Sequence, residues 1–112
     1  MKVNILGTDY SFKYATDEEV AKEMCGQPGE FGGYCDGYSK SIVIGKCNLM
    51  VGDEPTKKII QSESIRHEII HAFMNESGLK ANSEWAHNEE LVDWIALQFP
   101  KILKVYEKLG VI

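Results

Sequence analysis

Alternating apolar and polar residues mark the first part of the chain as strands. Lys2 to Leu6 and the alternation from Tyr10 to Tyr14 predict two strands, joined into a hairpin by a turn at Gly7-Thr8-Asp9. The segment from Tyr38 to Ile44, which ends in the β-branched and apolar residues Ile42-Val43-Ile44, predicts a third strand. Residues 26–37, which contain five glycines and a proline, are expected to form a loop.

Capping residues and apolar spacing predict the first two helices. Thr16 begins a Thr-x-x-Glu capping box, so a short helix is expected to run to about Met24. A second helix is expected to begin near Ser62 and to end at Gly78, because glycine can take the left-handed conformation that closes a helix. The intervening segment Asp53-Glu54-Pro55 is expected to be a loop.

A third helix is predicted after Asn88, whose side chain can cap it. Pro100 has no backbone N–H to donate and is expected to kink or divide this helix before Ile102 to Leu109 continue with helical spacing. Strands followed by helices predict an α+β fold with a small mixed or antiparallel sheet. The length of 112 residues fits a single domain spanning residues 1–112.

Composition and charge narrow the classes of function. Apolar residues make up 44% of the chain and charged residues 26%, as in ordinary folded domains. The net charge of -5 and the lack of a Lys/Arg-rich run argue against a nucleic-acid partner. No apolar stretch approaches the roughly 18 residues of a membrane helix, and the start lacks the apolar region of a secretory signal, so a cytoplasmic protein without a membrane partner is expected. The three cysteines include no close pair, which favours reduced thiols over disulfides or a cysteine-based zinc site.

The second predicted helix carries a pattern typical of metal binding. His67 and His71 are four positions apart, which puts their side chains about 40° apart on one helix face. Both imidazoles can therefore reach one metal ion, and Zn2+ is the expected cofactor. Glu68 is rotated from His67 by about 100°, a position that suits a general base acting on water better than a ligand. The same helix presents an apolar stripe for packing against the sheet: Ile65, Ile69, Ala72 and Phe73.

A catalytic zinc normally takes three protein ligands, so a third ligand is expected beyond the two histidines. The candidates follow the motif: Glu84, His87, Glu89 and Glu90. Glu89 and Asp93 are four positions apart on one face of the third predicted helix, as the two histidines are on theirs. One carboxylate can then bind the metal while the other accepts the second N–H of a histidine, the role expected of Asp93 towards His67.

Two motifs carry a resemblance to known families. The chain reads His67-Glu68-Ile69-Ile70-His71 and then Asn88-Glu89-Glu90-Leu91-Val92-Asp93, which resembles the His-Glu-x-x-His and Asn-Glu-x-x-x-Asp motifs of the gluzincin metallopeptidases. The second motif, extended to Ala96, is also similar to the second helix of the small ImmA/IrrE-type peptidases of phages and mobile elements. The chain departs from their pattern at Ile70, where glycine is common, and at Val92-Asp93, which replaces Ala-Asn.

The resemblance implies a zincin-like fold, in which the sheet packs on the active-site helix and a second helix carries the third ligand. It implies a zinc-dependent hydrolase, specifically a metallopeptidase that cleaves peptide or protein substrates by Glu68-assisted attack of a water activated by zinc. It selects Glu89 as the third ligand, although similarity to SprT-like zinc proteins keeps His87 open beside Glu90. The alternative function is a non-catalytic zinc-binding regulatory or interaction module of phage origin.

Two further expectations concern packing. A peptide substrate is expected to pair with an exposed strand edge, for which the strand Tyr38 to Ile44 is the candidate. The alternative is an ordinary interior strand, because Ile42, Val43 and Ile44 are apolar on both faces. Three large aromatic residues are expected in the core: Trp85, Trp94 and Phe99.

Overall fold

A computed structural model describes residues 1–24 and 32–112 and has an α+β fold. Within these residues one four-stranded mixed sheet has the order β1-β2-β4-β3. β1 pairs with β2 and β3 pairs with β4 in antiparallel fashion, whereas β2 and β4 are parallel neighbours. The strands are β1 (Lys2–Ile5), β2 (Thr8–Ala15), β3 (Gly33–Asp36) and β4 (Ser41–Gly45).

Helices occupy both faces of this sheet. They are α1 (Asp17–Glu23), α2 (Glu54–Glu76), the single turn α3 (Leu79–Asn82), a 3₁₀ turn (Glu84–His87) and α4 (Glu89–Leu109). None of the helices in the described part of the chain is long and apolar enough to cross a membrane. The predicted α+β class and mixed sheet are therefore confirmed.

The predicted hairpin is present, with its turn placed slightly earlier than expected. Leu6 and Gly7 both have positive φ angles, 50° and 92°, as two-residue hairpin turns require. The Asn4 side-chain oxygen accepts a hydrogen bond of 3.0 Å from the Gly7 N–H and closes this turn. β2 can therefore begin at Thr8, inside the predicted turn segment.

Two predictions about the strands near the glycine-rich segment are wrong. Gly33–Asp36, expected to be loop, forms the edge strand β3, while residues 26–31 of that predicted loop lie outside the described residues. The Asp36 carboxylate accepts hydrogen bonds from the backbone N–H groups of Tyr38 and Ser39, which folds the predicted start of the next strand into a turn. β4 therefore begins at Ser41 and lies between β2 and β3, so it is an interior strand, and the edge strands of the described residues are β1 and β3.

The helix that carries the two histidines is longer than its apolar spacing predicts. α2 begins at Glu54 and not near Ser62, because the Asp53 side chain caps it by accepting from the Thr56 N–H at 2.7 Å. Pro55 lies in the first turn, where its missing N–H costs nothing. The same residues that indicated a loop are thus a helix start, and α2 projects well beyond the histidine motif.

α4 continues through Pro100 to Leu109 and is not divided. In an uninterrupted helix the residue 100 N–H would bond to the carbonyl of Ala96, four positions earlier. Here the Arg66 Nε donates to that carbonyl at 2.7 Å. A side chain of α2 therefore replaces the backbone donor that proline removes, and ties α4 to α2.

The core formed by the described residues consists of two apolar clusters, one on each face of the sheet. The cluster that includes α2 contains Ile5, Tyr10, Phe12, Ile42, Ile44 and Ala72, with Ile65 and Ile69 packed against it. The cluster on the α1 side contains Ala15, Val20 and Val43. The predicted apolar stripe of α2 is confirmed except at Phe73, which is exposed. Trp85, Trp94 and Phe99, expected in the core, are each about half exposed because they lie in the outer helices.

A buried carboxylate fixes the segment between β4 and α2. Asp17, at 0% exposure, accepts hydrogen bonds from the backbone N–H groups of Cys47 at 3.0 Å and Leu49 at 2.9 Å. Its own N–H donates to the Asn48 side chain at 2.8 Å. Cys47 has a positive φ of 59°, a conformation that these bonds hold in place. This segment forms one wall of the cavity described below.

Candidate metal site

α2 and α4 bring three metal-ligating side chains together. The Nε2 atoms of His67 and His71 lie 3.0 Å apart on α2. One oxygen of Glu89 is 2.9 Å from His67 Nε2, and its other oxygen is 3.1 Å from His71 Nε2. In the described part of the chain this is the group of histidine, cysteine and carboxylate side chains that could share one metal ion, with all donor atoms within 4.8 Å.

Local structure determines where Glu89 lies. The Asn88 side chain caps α4 by accepting from the Leu91 N–H at 2.9 Å, so Glu89 is the first helical residue. The buried Ala86 packs the preceding 3₁₀ turn against the protein. Val92 and Ala96 bury the next turns of α4, and the bond from Arg66 holds this helix against α2. The Asn88 cap and the helix face, both predicted from the sequence, therefore place the Glu89 carboxylate next to His67 and His71.

Asp93 lies behind His67, as expected from its spacing. Its carboxylate oxygen is 2.6 Å from His67 Nδ1, a distance that requires a proton on that nitrogen. In the neutral imidazole the Nε2 atom then carries a lone pair, directed towards His71 and Glu89. Asp93 thus fixes the tautomer in which His67 can bind a metal.

These side chains fit Zn2+ on the chemistry of their donor atoms. Lone pairs and carboxylate oxygens that converge within hydrogen-bonding distance repel one another unless a proton or a metal cation lies between them. Tetrahedral zinc with bonds of about 2.0 to 2.1 Å spaces its ligand atoms roughly 3.3 Å apart. The separations of 2.9, 3.0 and 3.1 Å between these ligand atoms are slightly shorter than that spacing.

The two histidines have pKa values shifted in opposite directions. Burial lowers the pKa of His67, but the charges of Glu68, Glu89 and Asp93 and the Asp93 hydrogen bond together raise it above its ordinary value. Burial dominates at His71 and lowers its pKa, despite the opposing charge of Glu89. Without metal, a proton is therefore held by His67 in preference to His71.

The site is sheltered by α2 and open on the α4 side. The side chains of His67 and His71 are 12% and 16% exposed, whereas those of Glu89 and Asp93 are 60% and 65% exposed. Glu68 is buried at 6% exposure next to the histidines. Burial and then the charge of Glu68 raise the pKa of the Cys35 thiol on β3 to about 12. Two imidazoles and one accessible carboxylate therefore converge, and the buried Glu68 lines a cavity together with His67.

The other third-ligand candidates are not brought into this group. His87, at the end of the 3₁₀ turn, is exposed, and so are Glu84 and Glu90. The metal-binding group within the described residues includes none of them. Glu89 is the candidate whose oxygens contact both histidines.

Sequence reasoning missed Glu63, which lines a cavity beside the site. It precedes His67 by four positions on α2, so Glu63, His67 and His71 form one row on the same helix face. The same spacing rule that singled out the histidines could have identified it. Arg66 was also missed, because its partner is a carbonyl on another helix and no local pattern marks it.

The chain matches no protein-family model, no curated protein and no solved structure. The resemblance to gluzincins therefore rests on the two helix motifs alone.

Proposed function

We propose that this protein is a zinc-dependent hydrolase, specifically a gluzincin-like metallopeptidase with a zincin-like arrangement of its sheet and two ligand-bearing helices. One observation carries the proposal: two imidazole nitrogens and a carboxylate from separate helices converge to 3.1 Å or less, while Asp93 holds one imidazole in the metal-binding tautomer. A buried carboxylate, Glu68, lies next to them and is not required as a ligand.

Each side chain has a distinct role in this proposal. His67, His71 and Glu89 hold Zn2+, and Asp93 orients His67 by accepting its Nδ1 proton. When bound, zinc polarises the carbonyl to be cleaved and lowers the pKa of water from about 15.7 towards 7. Glu68 accepts the proton of the attacking water and passes it to the leaving nitrogen of the peptide.

The fold supports an extended substrate. β3 borders α2 and, among the described residues, has no strand on its outer side, so this edge can pair with the main chain of a peptide. This strand replaces the interior strand β4 as the expected substrate-binding edge. Main-chain pairing would hold the substrate independently of most of its side chains.

Two matched variants separate metal binding from catalysis. Purified protein is expected to bind one zinc per chain and to cleave unstructured peptides, with loss of cleavage on chelation and recovery on adding zinc. Glu68→Gln is expected to retain zinc and to lose about 10²-fold or more in kcat, since it removes a general base. Glu89→Ala is expected to weaken zinc binding itself, measured by titration with a competing chelator.

The outcomes also distinguish the alternative function. Stoichiometric zinc without cleavage of any peptide would identify a non-catalytic binding module. Retained turnover in Glu68→Gln would refute the role of this residue, and unchanged zinc affinity in Glu89→Ala would refute the third ligand.

A further inference from the structure

A cavity of about 380 Å3 opens directly beside the proposed catalytic residues. His67, Glu68 and Asp93 form its boundary with the metal site. Its other walls include the side chains of Met50, Ile60 and Leu97. A substrate bound for attack at the metal site would therefore place a neighbouring side chain in this cavity.

Glu63 contributes a carboxylate to the wall of this cavity. Its side chain is half-buried and lines the cavity, yet it has no ion pair or hydrogen bond within the described residues. No lysine or arginine of the described residues lines the cavity. A partly desolvated carboxylate without a partner is unfavourable, and a cationic group entering the cavity would relieve that cost.

The remaining walls fit the stem of such a group. Met50, Ile60 and Leu97 line the same cavity as Glu63 and offer apolar surface there. Lysine and arginine combine a long aliphatic stem with a cationic end, so the stem can pack on these residues while the end reaches the carboxylate. An acidic side chain would meet Glu63, Glu68 and Asp93 and be repelled.

We propose that this cavity binds a lysine or arginine side chain next to the bond to be cleaved, and that Glu63 is the residue that determines this specificity. The inference rests on the proposed function, since it assigns the substrate class of the same site. It adds a preference for basic substrate side chains, which neither the zinc ligands nor the outer edge of β3 would create.

The test uses peptides of the form Ala-Ala-Xaa-Ala-Ala, in which Xaa is lysine, arginine, norleucine or glutamate. Mass spectrometry identifies the bond that is cut, and kcat/KM is compared between lysine and norleucine, which share an aliphatic stem. Binding of the same peptides to zinc-loaded Glu68→Gln is measured by calorimetry. Each readout is repeated with Glu63→Gln added, and with Glu107→Gln as a control that removes one exposed negative charge from α4.

We expect cleavage beside Xaa and a preference for lysine over norleucine of about tenfold or more in both kcat/KM and binding, typical of a hydrogen bond to a charged group. Glu63→Gln should bring both ratios towards one, and Glu107→Gln should leave them unchanged. Equal preference with and without Glu63, or no preference at all, overturns the inference.

The two proposals fail in different ways. Turnover of all peptides without a basic preference supports the proposed function and overturns the assignment of the cavity. A Glu63-dependent binding preference without turnover supports the cavity and overturns the peptidase. Absence of both turnover and preference overturns both.

Discussion

The bond between Arg66 and Ala96 offers the sharpest test of how the site is held together. Pro100 leaves the Ala96 carbonyl without its usual backbone donor, and Arg66 Nε supplies one at 2.7 Å. Arg66→Met removes this donor and keeps most of the aliphatic stem. Pro100→Ala restores a backbone N–H that can bond to the same carbonyl within the helix.

The magnitude follows from the burial of the acceptor. Ala96 is 2% exposed, so its carbonyl would be left with little access to water. An unsatisfied buried acceptor costs about 1 to 3 kcal/mol, and a bond from a charged donor is at the upper part of that range. We therefore expect Arg66→Met to lower the free energy of unfolding by about 2 kcal/mol. In the Pro100→Ala background the cost should fall by about 1 kcal/mol, because the helix then satisfies the carbonyl itself.

Urea denaturation of the four metal-free proteins measures this coupling. The wild type, both single variants and the double variant form a double-mutant cycle, in which the interaction energy is read directly. If Arg66→Met costs the same in both backgrounds, within about 0.3 kcal/mol, Arg66 does not replace the proline donor. Arg66→Met should also weaken zinc binding, since the same bond holds the helix that carries Glu89.

Two further predictions concern the carboxylates. Asp93→Ala should weaken zinc binding by about 10- to 100-fold while Glu68-dependent turnover persists at saturating zinc, and an unchanged affinity in a chelator competition would contradict its role towards His67. The hydrogen bonds from Lys40 and Tyr10 lower the pKa of Glu76 to about 2 from 4.5. Because the folded pKa is depressed, this stabilisation is complete above pH 4.5 and is lost as the pH falls towards 2. The difference in melting temperature between wild type and Glu76→Gln should therefore be larger at pH 7 than at pH 3, and an equal difference would contradict the ion pair.

The features that the sequence predicted well are those that short-range patterns determine. The capping box of Thr16 and Glu19 forms as expected, and so does the Asn88 cap. The four-residue spacing within each helix motif needs only helical geometry to align its side chains. Once both helices form, packing of α4 against α2 places Glu89 next to the histidines, and the two motifs had indicated this pairing.

The features that it did not predict depend on distant partners. β3 is a strand because β4 lies beside it, and its glycine-containing sequence resembles a loop when read alone. The edge or interior position of a strand depends on its neighbours in the sheet, so β4, expected at an edge, is an interior strand and β3 lies at that edge. Pro100 lies within an unbroken helix because Arg66, on another helix, compensates for it. The secondary-structure propensity of a short segment contains no information about such distant partners.

The start of α2 shows a different kind of error. Asp53 and Pro55 are favoured in turns and equally favoured at the first positions of helices. The residues that follow decide between a turn and a helix start. Thr56 to Gln61 lack regular apolar spacing, so the sequence did not predict that α2 begins before Ser62. The Asp53 cap was therefore visible in the sequence, but apolar periodicity alone did not reveal it.

The proposed metal site also links catalysis to the stability of α4. Packing of α4 is concentrated on α2 and the preceding 3₁₀ turn, and no comparable packing with the sheet occurs within the described residues. Its first two turns place Glu89 and Asp93 next to the histidines, so the repulsion between the carboxylates and the histidine lone pairs depends on the cation between them. Without a cation, a proton on His67 is the available compensation, and that proton is lost as the pH rises. A zinc ion bound by both helices would replace it and persist at higher pH, so the residues proposed to hold the catalytic metal would also hold the active-site helices together.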